Sequence, residues 1–349
     1  MQINLPVKTL IQVFDNVTVC DADENFVVHR ISSLSAAESN DIAFIFDRGD
    51  ASVFDAVSLE AIKQSKAGLF VSIKPVVPGK KYVIVQDALA AFDRLVAYLN
   101  KQQELVQPPL RIGENVFIHS TAVVCSGVSI GFATTVGAHV FIGRDCIIGK
   151  NVFLHPGVKI LDRCVLGDNS IVHAGAVIGS DGFGYQVGTT GLKKIPQVGY
   201  VRIGKDVEIG ANCMIDRASF EETVVGDGVK MDNGVHIAHN VKVGAHTVIL
   251  AQTGIAGSTE IGMGCQIGGQ VAVRDHIKIG NNVKIVSKSA VLNDLKDGET
   301  VCGIPAIPFG QWKRLTVALS KVPELIKQMG GAKVAFNRAR KSWWQRLFG

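Results

Sequence analysis

Nine histidines are the side chains in this sequence best suited to moving protons near neutral pH. His119, His155 and His173 each follow directly on an aliphatic residue, at a position where Gly is common, and read as packing or surface groups. His239 differs. It stands in Met231-Asp-Asn-Gly-Val-His-Ile-Ala-His239-Asn240, a stretch with the character of a turn and with acids nearby, and His276 follows 37 residues later. A neutral imidazole so placed could take a proton from a nucleophile. Metal binding is the competing use of clustered histidines. His236, His239 and His246 are close in sequence, but zinc needs ligands converging at about 2.0–2.1 Å and their offsets in the local repeat differ, so no metal is expected. Seven scattered cysteines without a Cys-x-x-Cys pair offer neither a zinc clasp nor a redox motif, and fit a reducing cytoplasm.

What must position these histidines is a repeat. Stepping by six from Ile112 gives Ile118, Val124, Ile130, Val136 and Ile142, and the aliphatic phase holds to Ile178. It returns at Ile203, Ile209 and Ile215, then runs from Val225 through Ile237, Ile255 and Val273 to Val291. Four places after each large aliphatic sits something small, as at Ala122, Val128 and Thr134. A period of six is neither helical nor a simple strand alternation. It describes a short strand with one large inward residue, followed by a bend. Three such sides close an 18-residue coil, so these 27 hexads predict about nine stacked coils, each rising about 4.8 Å. Cys146, Cys164, Cys213 and Cys265 fall in the small slot and read as buried hydrophobes. His276 then lies two coils and one residue beyond His239, about 10 Å along the same side. The phase breaks between Ile178 and Ile203 and again near Phe220–Val224, where a stacked prism must throw loops off its edge.

The flanks show no hexads. Residues 1–104 read as a small α/β domain, with strands at Lys66–Ser72 and Lys81–Gln86 and a helix over Ala88–Leu99; Pro108-Pro109 links it to a prism spanning 110–303. In the C-terminal extension, 304–349, Phe309–Lys327 reads as helical, with Pro323 expected to start a further turn or helix. The net charge of +5 is uneven: residues 311–349 hold nine Lys or Arg and one Glu, a net +8, leaving −3 for the first 310. All three tryptophans, Trp312, Trp343 and Trp344, sit in this tail, which suits an acidic protein or a lipid surface. No apolar run approaches the ~18–20 residues of a membrane span, and the first residues lack the layout of a secretory signal. A cytoplasmic protein is expected, peripheral at the inner membrane if the tail touches lipid.

The hexads resemble those of hexapeptide acyltransferases, which implies a mainly β fold, a left-handed parallel β-helix, and trimers with active sites between neighbouring prisms. More specific are Ile178-Gly-Ser-Asp-Gly-Phe-Gly-Tyr185, Val207-Glu-Ile-Gly-Ala-Asn-Cys-Met-Ile-Asp-Arg217, Ile237-Ala-His-Asn240, Gly254-Ile-Ala-Gly-Ser258 and Gly268-Gly-Gln270. Over essentially the whole chain these are similar to the UDP-3-O-acylglucosamine N-acyltransferases, which add the second acyl chain in lipid A assembly. The resemblance implies that His239 is the catalytic base, His276 a supporting residue and the Gly257 amide an oxyanion donor. Asp232, an acid near His239 in the sequence, is a candidate to orient the imidazole, as carboxylates commonly do. The resemblance further implies a 3-hydroxyacyl chain carried on acyl carrier protein as donor, the amine of a UDP-acylglucosamine as acceptor, and no cofactor or nucleic acid. Substrate-binding candidates are Asp181, Phe183, Tyr185 and Asn240, with Phe44 and Asp47 for the uridine. The family's Phe-Leu-x-Asn-Pro-x-Tyr segment here reads Phe44-Ile-Phe-Asp-Arg-Gly-Asp50, keeping the Phe and replacing the Asn with Asp47 and the Tyr with Asp50. Asp275 replaces the usual Gly before the second histidine, and Gly234 a common aliphatic residue. Alternatives are a coenzyme A-dependent O-acyltransferase or sugar N-acetyltransferase, a metalloenzyme on the same prism, and a degenerate paralogue that binds nucleotide-sugar or carrier without catalysis.

Overall fold

The computed structural model describes residues 2–46, 56–104, 107–188 and 191–328. Its centre is a three-sided parallel β-solenoid. Each side is a ladder of mostly two-residue strands whose second residue points inward, and successive coils pair 18 residues apart: Ile130 with Ile148, Val136 with Leu154, Ile142 with Ile160. The inward aliphatics stack as one continuous core with little exposure from Val128 to Val301. The four cysteines of the small slot are sealed within it, as their spacing predicts. Burial pushes the Cys164 thiol up to about 11, so it is protonated and inert.

The first side begins with Arg111–Ile112, the second with Phe117–Ile118 and the third with Val123–Val124. Among the described residues the first and third sides hold nine strands each; the second holds eleven, because Thr300–Cys302 adds a tenth parallel strand and Ile307–Pro308 folds back antiparallel onto it. The nine predicted coils therefore end in a partial tenth.

Both phase breaks fall on one edge, where the third side turns into the next coil's first. Leu166 pairs with Ile203, 37 residues on instead of 18, and Ile203 pairs with Val225, 22 on. The longer insertion carries a small hairpin, Tyr185–Gly188 against Gly191–Lys194.

Residues 2–46 and 56–104 build a six-stranded sheet in which Val27–Ile31, Asp41–Phe44, Leu69–Ser72 and Tyr82–Val85 run parallel, with Gln2–Pro6 and Val17–Cys20 as antiparallel edges. The last three parallel strands are buried throughout, as a sheet covered on both faces requires. Helices α1 (Val7–Phe14) and α3 (Ala88–Glu104) cover one face and α2 (Ala56–Gln64) belongs to the other. The insertions fasten this layer to the prism. Ile195, Val198 and Phe220 join its core, the Phe220 ring lies 5.6 Å from that of Phe92, and Glu221 Oε1 accepts the Ser33 amide at 2.7 Å.

Helix α4 (Phe309–Gln328) passes through Pro323 without a break, so that proline starts no separate helix. Trp343 and Trp344 lie outside the described residues. No described helix is long and apolar enough to cross a membrane.

Candidate active site

The edge that carries the insertions also carries His239. The strand His236–Ile237 ends the third side, Ala238, His239 and Asn240 turn the corner, and Lys242–Val243 starts the next coil. One coil up, the corner is Ala256, Gly257 and Ser258; two coils up it holds Asp275 and His276. Backbone bonds tie the corners together: the Ser258 amide donates to the His239 carbonyl at 2.9 Å, and the His276 amide to that of Gly257 at 3.1 Å. Asn240 and His276 take the left-handed conformation this corner demands, at φ 60° and 56°, which Asn adopts at low cost and His also tolerates.

Two glycines press on the His239 side chain. A Cβ on Gly257 would stand 2.7 Å from Cε1 and Nε2 of the ring, and one on Gly182, in the first insertion, 2.5 Å from its Cβ. The imidazole thus lies between two bare backbone segments, half-buried, with an edge reachable from outside. The Gly257 N–H has no hydrogen-bond partner among the described residues, and it belongs to the corner against which the ring packs. An N–H so placed suits an oxyanion.

Asn240 fixes the ring. Its Oδ1 accepts the Ser219 amide at 3.0 Å, which turns its Nδ2 toward His239 Nδ1, also 3.0 Å away, and toward Ser258 Oγ at 3.4 Å. Nδ1 is therefore the acceptor, and the proton of the neutral ring sits on Nε2. Burial pushes this imidazole below its ordinary value; Asp216 pulls the other way, and His276 and His236 reinforce the drop. His239 is accordingly neutral at pH 7.

The carboxylate of this site is Asp216. It is buried and accepts Ser180 Oγ–H at 2.8 Å and His236 Nε2–H at 3.0 Å. The hydrogen bond to Asp216 holds His236 above the ordinary histidine value despite burial. Asp232, the expected orienting residue, lies on a different edge, after the second-side strand Lys230–Met231, where its Oδ1 accepts the Asn233 amide beside His173 and Glu208. The 18-residue arithmetic misses Asp216 because Met214 pairs with His236 across the four-residue insertion, 22 positions apart.

The other candidates divide. Phe183 and Tyr185 form an exposed aromatic pair, rings 4.8 Å apart, on the insertion beside Gly182. Asp181 pairs with Lys194 and lies 3.9 Å from Arg217 Nε. His276 is exposed on the shared edge, and Asp275 beside it pairs with Arg274 at 3.7 Å. Phe44 does not offer a free face: it is sealed in the α/β core against Phe14, Phe46 and Phe92, and the half-exposed ring there is Phe46. Asp47 lies outside the described residues. His155 and His173 stack at 4.8 Å on the surface, and His246 lies against Gly228 on another edge, apart from His239.

This solenoid, with a neutral imidazole on an insertion-bearing edge, defines a hexapeptide-repeat acyltransferase. The models for the bacterial transferase hexapeptide (six repeats) and the hexapeptide repeat of succinyl-transferase match residues 145–180 and residues 109–143 and 200–239. Solved structures of UDP-N-acetylglucosamine acyltransferases from Arabidopsis (21% identity, 66% of this chain and 84% of that one, TM-score 0.53) and Francisella novicida (24%, 64% and 83%, TM-score 0.50) share the fold. UDP-3-O-acylglucosamine N-acyltransferases of several Coxiella burnetii strains are 35% identical over 246 residues, 65% of this chain and 68% of theirs. The chain belongs to the UDP-3-O-acylglucosamine N-acyltransferase family.

Proposed function

We propose that the protein transfers a 3-hydroxyacyl chain from acyl carrier protein to the 2-amino group of UDP-3-O-acylglucosamine, with His239 as general base. The observation that carries this reading is the half-buried, neutral imidazole packed between Gly182 and Gly257, the latter's amide having no partner among the described residues. In the reaction the amine nitrogen attacks the thioester carbonyl, His239 takes the amine's proton, and the oxyanion forms against the Gly257 N–H. The C–S bond then breaks, and the imidazolium returns the proton to the leaving thiolate. A ring whose Nε2 carries the proton has its lone pair on Nδ1. Base action at Nε2 therefore begins with a shift to the other tautomer, in which Asn240 releases Nδ1 or presents its oxygen to it.

The exposed Phe183–Tyr185 pair and His276 border the same edge and suit substrate contacts. The α/β layer is assigned to the nucleotide, recognised by an altered segment that has Asp47 in place of an amide, with Phe46 as its accessible ring. The +8 tail suits an acidic carrier or an anionic membrane surface. Incubation of purified protein with the UDP-acylglucosamine and hydroxyacyl carriers of several chain lengths tests the reading. A doubly acylated product is expected, and the absence of turnover at every length contradicts it.

A further inference from the structure

Alongside the His239 edge, between α3 and the lower coils, lies a cavity of about 720 Å³, a size typical of small-molecule sites. Its lining is cationic. Arg144, Arg163, Lys193, Lys194 and Arg217 face it, against Asp93, Asp162 and Asp181. Both lysines have carboxylate partners: Lys193 pairs with Asp87 at 3.1 Å and Lys194 with Asp181. Asp162 Oδ1 accepts the Arg144 backbone amide at 2.9 Å. Arg217 is buried and donates from Nε to the Gly179 carbonyl at 2.6 Å. The guanidinium groups of Arg144 and Arg163 have no hydrogen-bond or ion-pair partner among the described residues. They stand on adjacent coils of this edge, the Arg163 amide donating to the Arg144 carbonyl at 2.8 Å. Burial and the neighbouring Arg217 push Arg163 below the ordinary guanidinium value. Asp162 and Asp145 act on Arg163 through space in the other direction. Two planar forks in a recess, neither in direct contact with a carboxylate among the described residues, match the oxygens of a phosphoryl group.

We propose that this cavity binds the phosphoryl group of one of the two reactants, with Arg144 and Arg163 as the anion's principal ligands. Asp181 in its lining adjoins Gly182, which packs on His239, and Arg217 adjoins Asp216, so the cavity borders the base at one end, while Arg163 and Arg144 stand three and four coils below His239, about 14 and 19 Å along the edge. A nucleotide diphosphate and the phosphate of a carrier's pantetheine arm share this chemistry. Assignment to a reactant rests on the acyl-transfer reading; the anion site itself does not.

The test is calorimetric titration of the full chain with inorganic pyrophosphate. Saturable binding is expected, weakened at least about 10-fold in Arg163→Gln and in Arg144→Gln, because each removes a charge-assisted fork. Thermal melts confirm that both variants fold. His239→Ala binds pyrophosphate as the unaltered protein does, so an error about the base would leave this result standing. No saturable binding, or unchanged affinity in both arginine variants, overturns the site. Displacement of pyrophosphate by UDP assigns the anion to the acceptor, and displacement by pantetheine 4′-phosphate assigns it to the donor. Displacement by neither overturns the assignment to a reactant.

Discussion

Asn240 decides which nitrogen of His239 is basic, and this gives a sharp expectation. In Asn240→Asp a carboxylate faces Nδ1, holds a proton there, frees the Nε2 lone pair and raises the imidazole's pKa. The acidic limb of the pH–rate profile, expected below the ordinary histidine value of about 6.5 in the unaltered protein, moves to higher pH. A limb that stays in place contradicts the contact between position 240 and Nδ1. His236 carries the opposite shift. Its raised pKa means the folded state holds the proton more tightly, so the bond to Asp216 adds stability that is complete below about pH 6.5 and is lost as pH rises through the raised value. His236→Gln should therefore destabilise most in acid and little at high pH, with a small amplitude because the side chain is 46% exposed. Thermal melts across pH decide it, and a pH-independent loss contradicts it.

At the scale of elements, the corner above His239 has no room for a side chain. Gly257→Ala places a methyl group 2.7 Å from the ring, so the imidazole must move. A loss of about 10²-fold in kcat with little change in melting temperature is expected, since misplacement of this order costs about that much. An unchanged kcat contradicts the placement of the base. The coils were legible in the sequence because each hexad places one large aliphatic inward, so His239 and His276 could be set on one edge by counting, whereas Gly257 entered through the family resemblance. Asp216 was not, because its partner His236 lies across an insertion that breaks the count. Nor was the burial of Phe44, which depends on Phe14 and Phe92 from helices that no hexad fixes. The function of the insertions as clamps on the α/β layer was likewise invisible, since Phe220 meets Phe92 across 128 residues.

The solenoid is a stack of coils with the proposed base on one edge, where His239 is half-buried. Exposed apolar groups such as Phe117, Ile147, Phe153 and Met214 suit contact between prisms, as expected of a trimer. Sedimentation velocity should show three chains per particle, and a monomer at micromolar concentration contradicts that assembly. The measurement that bears most directly on the central claim is single-turnover acyl transfer by His239→Ala. With His239 as the base, the rate falls by about 10² to 10⁴-fold while the acceptor still binds. Transfer at the full rate would show that another group takes the amine's proton.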